Sequence, residues 1–269
     1  MTQSSATSAS LVDTHCHLDD PILADRLDEI LASSADAGVD QFVVPGVSAE
    51  HWPRIDEIGD RCDSIFPAFG LHPMHAEKFS PRLLEQLRGI SHKAVAIGEI
   101  GLDYQLADVT RAAQIHAFRQ QLRLAVGEGL PVLIHCRHAF ADLLTILREE
   151  RVKNVGGIMH AFSGSPEVAF ECIGLGLLIS MAGPVTYRNA VRPRRVAEKV
   201  PLSSLVLETD SPDLAPEPYR GMHNVPAFLS RIAEEVANIK GMPYSELAGI
   251  TSNNARELLR LTKNSSVVR

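Results

Sequence analysis

Aromatic side chains are scarce in this chain of 269 residues: one tryptophan, four tyrosines and nine phenylalanines make up 5% of it. Stacking platforms for unpaired bases are correspondingly few. Positive charge is not in excess either. A formal net charge of −7 and a pI near 5.9 exclude a protein that grips nucleic acid through its overall charge, so a polyanion would have to be attracted locally. No stretch approaches the roughly 18 to 20 uninterrupted apolar residues of a membrane helix, and a soluble protein without a membrane partner is expected.

Cysteine is also sparse, with four residues far apart in the chain. Cys16 and Cys136 each sit beside a histidine, and strand alternation places them on the packed side if the histidines face a site. They read as reduced core residues of a cytoplasmic protein. No internal repeat and no shift in composition marks a domain boundary. Residues 1–10 are rich in Ser, Thr and Ala, with neither a basic start nor an apolar run, and read as a disordered tail and not a secretory signal. Residues 263–269 read as a second tail. The span 11–262 is then one domain, of the size of a single α/β barrel. Nothing in the sequence speaks to assembly, and a monomer is the working expectation.

What is present begins with Leu11-Val12-Asp13-Thr14-His15-Cys16-His17-Leu18. In an extended strand His15 and His17 project to one side, about 7 Å apart along the chain, as a chelating pair. A helical run through Leu23, Leu27, Ile30 and Leu31 ends near Gly38, and a β-branched run spans Gln41 to Val47. The alternation then repeats. Strands are expected at Ile65 to Gly70, Ala94 to Ile97, Pro131 to His135, Val155 to His160, Leu177 to Met181 and Leu205 to Glu208, with helical stripes between them. One longer helical region is expected from Asn224 to Leu261. Eight short apolar strands alternating with helices imply a parallel sheet, and at this length a TIM-type (β/α)8 barrel fits best. An open doubly wound sheet would usually carry a glycine-rich phosphate loop after its first strand, where this chain carries histidines.

In such a barrel the active site lies at the C-terminal ends of the strands. Those ends carry His15 and His17, Glu99, His135, His160 and Asp210. Any one of them is unremarkable as a loop-facing hydrogen-bonding group; six metal-ligand types on one rim are not. Four imidazoles and two carboxylates exceed the needs of one tetrahedral ion and point to two metals bridged by a carboxylate, with Glu99 the natural bridge. His15, His17 and Asp210 would complete one ion, His135 and His160 the other.

The motifs Asp13-Thr14-His15-Cys16-His17-Leu18-Asp19, Gly70-Leu71-His72-Pro73, Ala96 to Tyr104, Ile134-His135-Cys136-Arg137, His160-Ala161-Phe162-Ser163-Gly164 and Glu208-Thr209-Asp210-Ser211-Pro212 together resemble the TatD family of metal-dependent deoxyribonucleases, within the amidohydrolase superfamily. The likeness spans nearly all of residues 11–260. It implies a two-metal hydrolase that cuts phosphodiester bonds of DNA, typically as a 3′-5′ exonuclease on single-stranded ends. It also implies metal ligation by the six residues above, with Asp210 and Glu99 catalytic and Asp210 a candidate general base. Mg²⁺ or Mn²⁺ is the expected working ion, and histidine-rich ligation also suits Zn²⁺.

His72 matches a position beside the substrate phosphate in that family, or is a structural histidine held by the turn before Pro73. Arg137 either meets a phosphate oxygen or forms a surface salt bridge. Arg220-Gly221 matches a further motif, but Asn224-Val225-Pro226 stands where the family commonly has Asn-Glu-Pro, and Val225 cannot accept a hydrogen bond. Arg192, Arg194, Arg195 and Lys199 read as a solvated helix face before a DNA guide, and Asp13 as structural support. A carbonyl substrate, such as a cyclic amide, a lactone or an aminoacyl ester on tRNA, is the alternative, because a bridged pair of metals serves either chemistry. A non-enzymatic barrel is disfavoured, since a decayed site should have lost at least one of the six ligands.

Overall fold

The computed structural model describes residues 10–262. Eight parallel strands form one sheet in sequential order: β1 Leu11–Asp13, β2 Val39–Pro45, β3 Ile65–Phe69, β4 Ala96–Asp103, β5 Val132–Arg137, β6 Gly157–Met159, β7 Leu177–Met181 and β8 Leu205–Leu207. Helices alternate with them: α1 Pro21–Ala24, α2 Leu27–Asp36, α3 Trp52–Arg61, α4 Pro81–Ile90, α5 Arg111–Glu128, α6 Phe140–Glu149, α7 Pro166–Gly174, α8 Val191–Lys199, α9 Leu229–Lys240 and α10 Tyr244–Leu259. The expected (β/α)8 barrel is the observed one. The expected tails at 1–9 and 263–269 lie outside the described residues. Ser10, assigned to the first tail from sequence, is tied down, since its hydroxyl meets Asp40 at 2.7 Å and accepts from Arg256.

The strands are apolar on both faces because both are buried. Val12, Val43, Ala68, Ala96, Leu133, Ile158 and Val206, with the partly buried Leu178, fill the inside of the barrel. Their neighbours Leu11, Phe42, Val44, Phe69, Ile97, Val132 and Ile134 pack outward against the helices. Ala255, Leu259 and Leu261 join the inner cluster, so α10 and the residues after it plug the mouth at the N-terminal ends of the strands. The opposite mouth is left for polar groups.

Several boundaries differ from the sequence expectation. The first helix is split into α1 and α2 at Asp25 and Arg26, where the Asp20 side chain caps α1 by accepting from the Ile22 N–H. The C-terminal helical region breaks into α9 and α10 at Gly241, which takes the left-handed conformation (φ +65°) that ends a helix, and at Pro243, which cannot continue one. The fourth strand is longer than expected. Pairing of β4 with β5 slips between Ile97 and Ile100, so Glu99 sits on a bulge inside the strand and not at its end.

A bulge re-aims a side chain, and this one has two glycine requirements. A Cβ on Gly70 would lie 2.7 Å from the Gly98 carbonyl carbon, and one on Gly101 would lie 1.9 Å from the His135 carbonyl oxygen. Both keep neighbouring backbone close enough for the bulge to fit.

β1 also ends earlier than expected, at Asp13. Regular alternation through Thr14 would place His15 and His17 with the outward Leu11. The chain bends at Thr14 and the faces are reset: Cys16 and Leu18 join the outer core, leaving the two histidines on the inner side.

The barrel is closed between β8 and the end of β1. The Thr14 N–H donates to the Leu207 carbonyl (3.1 Å) and the Asp210 N–H to the His15 carbonyl (2.9 Å). Fully buried Asp13 clasps this seam, accepting from the Thr209 N–H (2.9 Å) and the Thr209 hydroxyl (2.5 Å). Burial pushes its carboxyl up to about 8 while the Thr209 donors pull the other way. Replacing Thr209 by Val keeps the shape and deletes one donor to a buried acid. Thr209→Val should therefore lower stability by about 1–3 kcal/mol, read as a reduced urea midpoint at unchanged m-value.

Candidate metal centre

The open mouth holds a cleft of about 460 Å³ whose walls include His17, His72, Glu99, His135, His160 and Asp210. Each arrives from a different strand end or bulge. The His15 and His17 backbone is pinned on both sides, by Cys16 N–H to the Val43 carbonyl (3.1 Å) and His17 N–H to the Ser211 carbonyl (2.8 Å). His135 lies in β5, and His160 follows β6 with its N–H on the Ile134 carbonyl (3.0 Å). Asp210, just beyond β8, has φ +58°, a left-handed backbone that is strained for a non-glycine residue. Its N–H bond to His15 holds it there.

Glu99 lies at the centre. Its Oε2 is 3.3 Å from His15 Nε2 and 4.0 Å from His17 Nε2, while Asp210 Oδ1 is 3.8 and 3.7 Å from the same two nitrogens. Its Oε1 is 3.0 Å from His135 Nδ1 and 3.7 Å from His160 Nε2. Ligand atoms bound at about 2.0–2.2 Å around one tetrahedral ion stand roughly 3.3–3.6 Å apart. His15, His17 and Glu99 form a group close enough to hold an ion, with the His15 to Glu99 distance inside that range, and Asp210 stands slightly wider, 3.7–3.8 Å from the two histidines. Among the described residues, His15 Nε2, which faces Glu99 and Asp210, is buried without a hydrogen-bond partner, as a nitrogen left free to ligate would be. The second set, Glu99 Oε1 with His135 and His160, is more open. His160 Nε2 is also 3.7 Å from Asp210 Oδ1, so it stands between the two sets and not wholly in the second, where the sequence reading put it.

Two carboxylates to which sequence reasoning gave no role support the imidazoles from behind. Asp103 Oδ2 is 3.3 Å from His135 Nε2, leaving Nδ1 to face Glu99. Glu208 Oε1 lies 2.9 Å from His160 Nδ1, off the hydrogen-bond direction, and accepts the Ala161 N–H at 2.6 Å. Carboxylates that orient ligating histidines in this way tune metal sites. The available signal was that both lie inside the quoted motifs, Glu208 two residues before Asp210.

His72 is oriented the opposite way. Its Nδ1 accepts the Met74 N–H (3.1 Å), so the neutral ring carries its proton on Nε2, which points towards Glu99 Oε1 at 3.6 Å. A nitrogen that keeps its proton is a donor, so His72, although near enough to group with Glu99 and His135, is set up to donate into the cleft and not to ligate. Arg137 and Arg220 do not line the cleft. Arg137 is exposed at the end of β5, and Arg220 lies over the Tyr187 ring at 4.3 Å. Where the sequence left the role of Val225 open, Asn224 fastens the loop after β8, donating to the Thr209 and Asp213 carbonyls at 2.7 Å each.

Burial and mutual charge divide the titrating groups. Burial and the neighbouring His160 push His15 down to about 4, and burial pushes His72 down to about 3 despite Glu99. Both rings are neutral at pH 7. Burial acts against the charged forms of His135 and His160 as well, but Asp103 and Glu99 hold the first up at about 8, and Glu208, Asp210 and Glu99 hold the second up at about 10. Burial would raise Glu99, yet the surrounding histidines keep it well below the ordinary carboxylate range; Asp210 is raised by burial to about 6.

The family model described as TatD related DNase matches residues 12–260. An uncharacterized metal-dependent hydrolase, YabD of Bacillus subtilis, is 40% identical over 253 residues, covering 93% of this chain and 99% of the relative. The 3′-5′ ssDNA/RNA exonuclease TatD of Cronobacter sakazakii is 35% identical, covering 89% and 93%. Among solved structures, YjjV, a TatD homologue from Escherichia coli, superposes with a TM-score of 0.89 at 35% identity, covering 93% of this chain and 98% of that one.

Ligation requires neutral imidazole, so ion uptake must displace the protons that His135 and His160 carry below about pH 8 and pH 10. Apparent affinity should rise as pH increases from 6 to 8, by about tenfold per unit for each proton displaced. Calorimetry of Mn²⁺ or Zn²⁺ binding in buffers of differing ionisation enthalpy should register proton release. Glu208→Gln should weaken binding by about 10–100-fold while leaving all six ligand-type residues in place.

Proposed function

The chain belongs to the family of TatD-related DNases, and from that premise we propose that it is a metal-dependent hydrolase of phosphodiester bonds, acting on single-stranded DNA from its 3′ end. The observation that carries this reading is the sharing of Glu99 between two donor sets, one on each carboxylate oxygen. His15, His17, Glu99 and Asp210 would hold one divalent ion, and Glu99, His135 and His160 a second, with Mg²⁺ or Mn²⁺ the working ions and Zn²⁺ compatible with the imidazoles. Such ions supply Lewis acidity, making water a nucleophile near neutral pH and offsetting charge on the attacked group.

The chain's own groups do the rest. Asp210, on the cleft wall within 4 Å of the His15 and His17 nitrogens, is the group we assign to take a proton from the attacking water. His72 keeps its Nε2 proton and offers it to a phosphate oxygen inside the cleft. Arg137 and Arg220, outside the cleft, are left to meet phosphates further along a strand. The absence of any arginine or lysine from the cleft wall is the feature that favours the second reading, a carbonyl substrate small enough to lie wholly among the histidines.

Release of nucleotides from a 3′-labelled single-stranded oligonucleotide, by protein stripped of metal and resupplied in turn with Mg²⁺, Mn²⁺ or Zn²⁺, separates the two. Metal-dependent release is expected, and Glu99→Gln should reduce it by more than the roughly 100-fold that loss of an orienting partner costs. Protein that binds two ions yet releases no nucleotide with any of them would refute the nuclease reading and favour ester and amide substrates.

A further inference from the structure

Arginine is used in two ways in this molecule. Ten, from Arg26 to Arg256, have a carboxylate within 4 Å and act in surface or helix-to-helix pairs. The other nine described arginines have none that near, and four of them, Arg137, Arg188, Arg192 and Arg220, are exposed beside the mouth. They stand at the C-terminal end of β5 or on the segments that follow β7 and β8, along one side of the mouth.

Two are held without losing their charge. Arg192 donates to the Ser163 carbonyl (3.3 Å), bridging the segments that follow β6 and β7, and Arg220 stacks on Tyr187. A guanidinium fixed by a carbonyl or an aromatic face keeps its full charge for an incoming anion. The basic helix α8 thus divides. Arg192 turns to the mouth, Arg194 is taken by Glu235, and Arg195 and Lys199 lie towards Glu167 of α7.

The segments after β1, β2 and β3 have the opposite character. Asp19, Asp20, His51 and His75 line the cleft there, joined by Asp213 from the neighbouring segment after β8; among the described residues no arginine or lysine lines the cleft from any segment, so the arginines stand outside it. Asp19 is paired through Oδ2 with His51 Nδ1 at 2.6 Å, while its Oδ1 is buried without a partner. Carboxylates accept hydrogen bonds from hydroxyls and repel phosphates.

We propose that the mouth is a charge-polarised track for one polynucleotide strand, whose phosphates run over Arg137, Arg188, Arg192 and Arg220 and whose terminal hydroxyl abuts the carboxylate wall of Asp19 and Asp20. The track rests on the nuclease reading above and gives its restriction to ends a physical cause. A strand can leave the cleft only over the arginines, because a phosphate continuing past the scissile bond would meet Asp19 and Asp20. Cutting is therefore confined to ends, and to ends that carry a hydroxyl.

The test compares a single strand of about twenty nucleotides with a dinucleotide, using the metal-loaded protein and the exposed double variant Arg188→Ala/Arg192→Ala. Loss of kcat/KM should grow with length, about tenfold for the long strand through KM and no more than about twofold for the dinucleotide. The salt slope on the long strand should become shallower by about 1.4, roughly 0.7 for each phosphate contact removed. Wild-type protein should cut strands ending in a 3′-hydroxyl in preference to a 3′-phosphate, and Asp20→Asn, which still caps α1, should narrow that preference. Equal losses at both lengths, an unchanged salt slope, or 3′-phosphate ends cut as fast as hydroxyl ends would each overturn the track. Absence of cleavage at any length would remove the nuclease reading itself, whereas cleavage with length-independent losses removes the track alone.

Discussion

One buried carboxylate sets the terms for the open end of the barrel. Glu99 is 3% exposed, and an ionised acid so far from water is tolerated only where opposite charge and hydrogen bonds replace hydration. Here the replacement is a shell of imidazoles, each within about 4 Å of one or other carboxylate oxygen. In the protein alone, His135 and His160 supply positive charge by holding protons. A bound cation would take over that work, and the protons would leave. The same shell can therefore be held together by protons or by a cation.

Holding Glu99 at that point constrains the backbone around it. The β4 bulge turns the side chain inward, and it fits only because Gly70 and Gly101 let adjacent strands approach closer than any Cβ would permit. Across the mouth, Asp210 must adopt a left-handed conformation, and the closure of the barrel keeps it there: Asp210 N–H bonds to His15, while Asp13 grips Thr209 one residue earlier. Closure and site geometry are therefore one problem. The strands that must meet to complete the sheet are the same ones that bring His15, His17 and Asp210 together.

Much of this was legible in the sequence because it is local. Short β-branched runs, helical stripes and polar residues at the ends of runs give the eight strands, the order of the barrel and the six residues that converge on the cleft. The split between α1 and α2, the bulge at Glu99 and the reset of faces at Thr14 were not legible, since each follows from contacts with distant parts of the chain. Asp103 and Glu208 show the limit most clearly. A carboxylate that orients a histidine has no spacing signature, because Asp103 serves a residue 32 positions away and Glu208 one 48 positions away.

The net charge of −7 and the proposed polyanionic substrate look contradictory until the charges are placed. A cleft that collects divalent cations cannot also carry lysine or arginine among its ligands, since each would compete with the ion for the same carboxylates. Attraction of a polyanion must therefore be displaced from the chemistry, onto guanidinium groups outside the cleft with no carboxylate within 4 Å. That separation also limits what the overall charge can reveal. The Debye length is about 8 Å at physiological ionic strength, so a strand on the rim responds to the few arginines beside it more than to acids on the far side of the barrel.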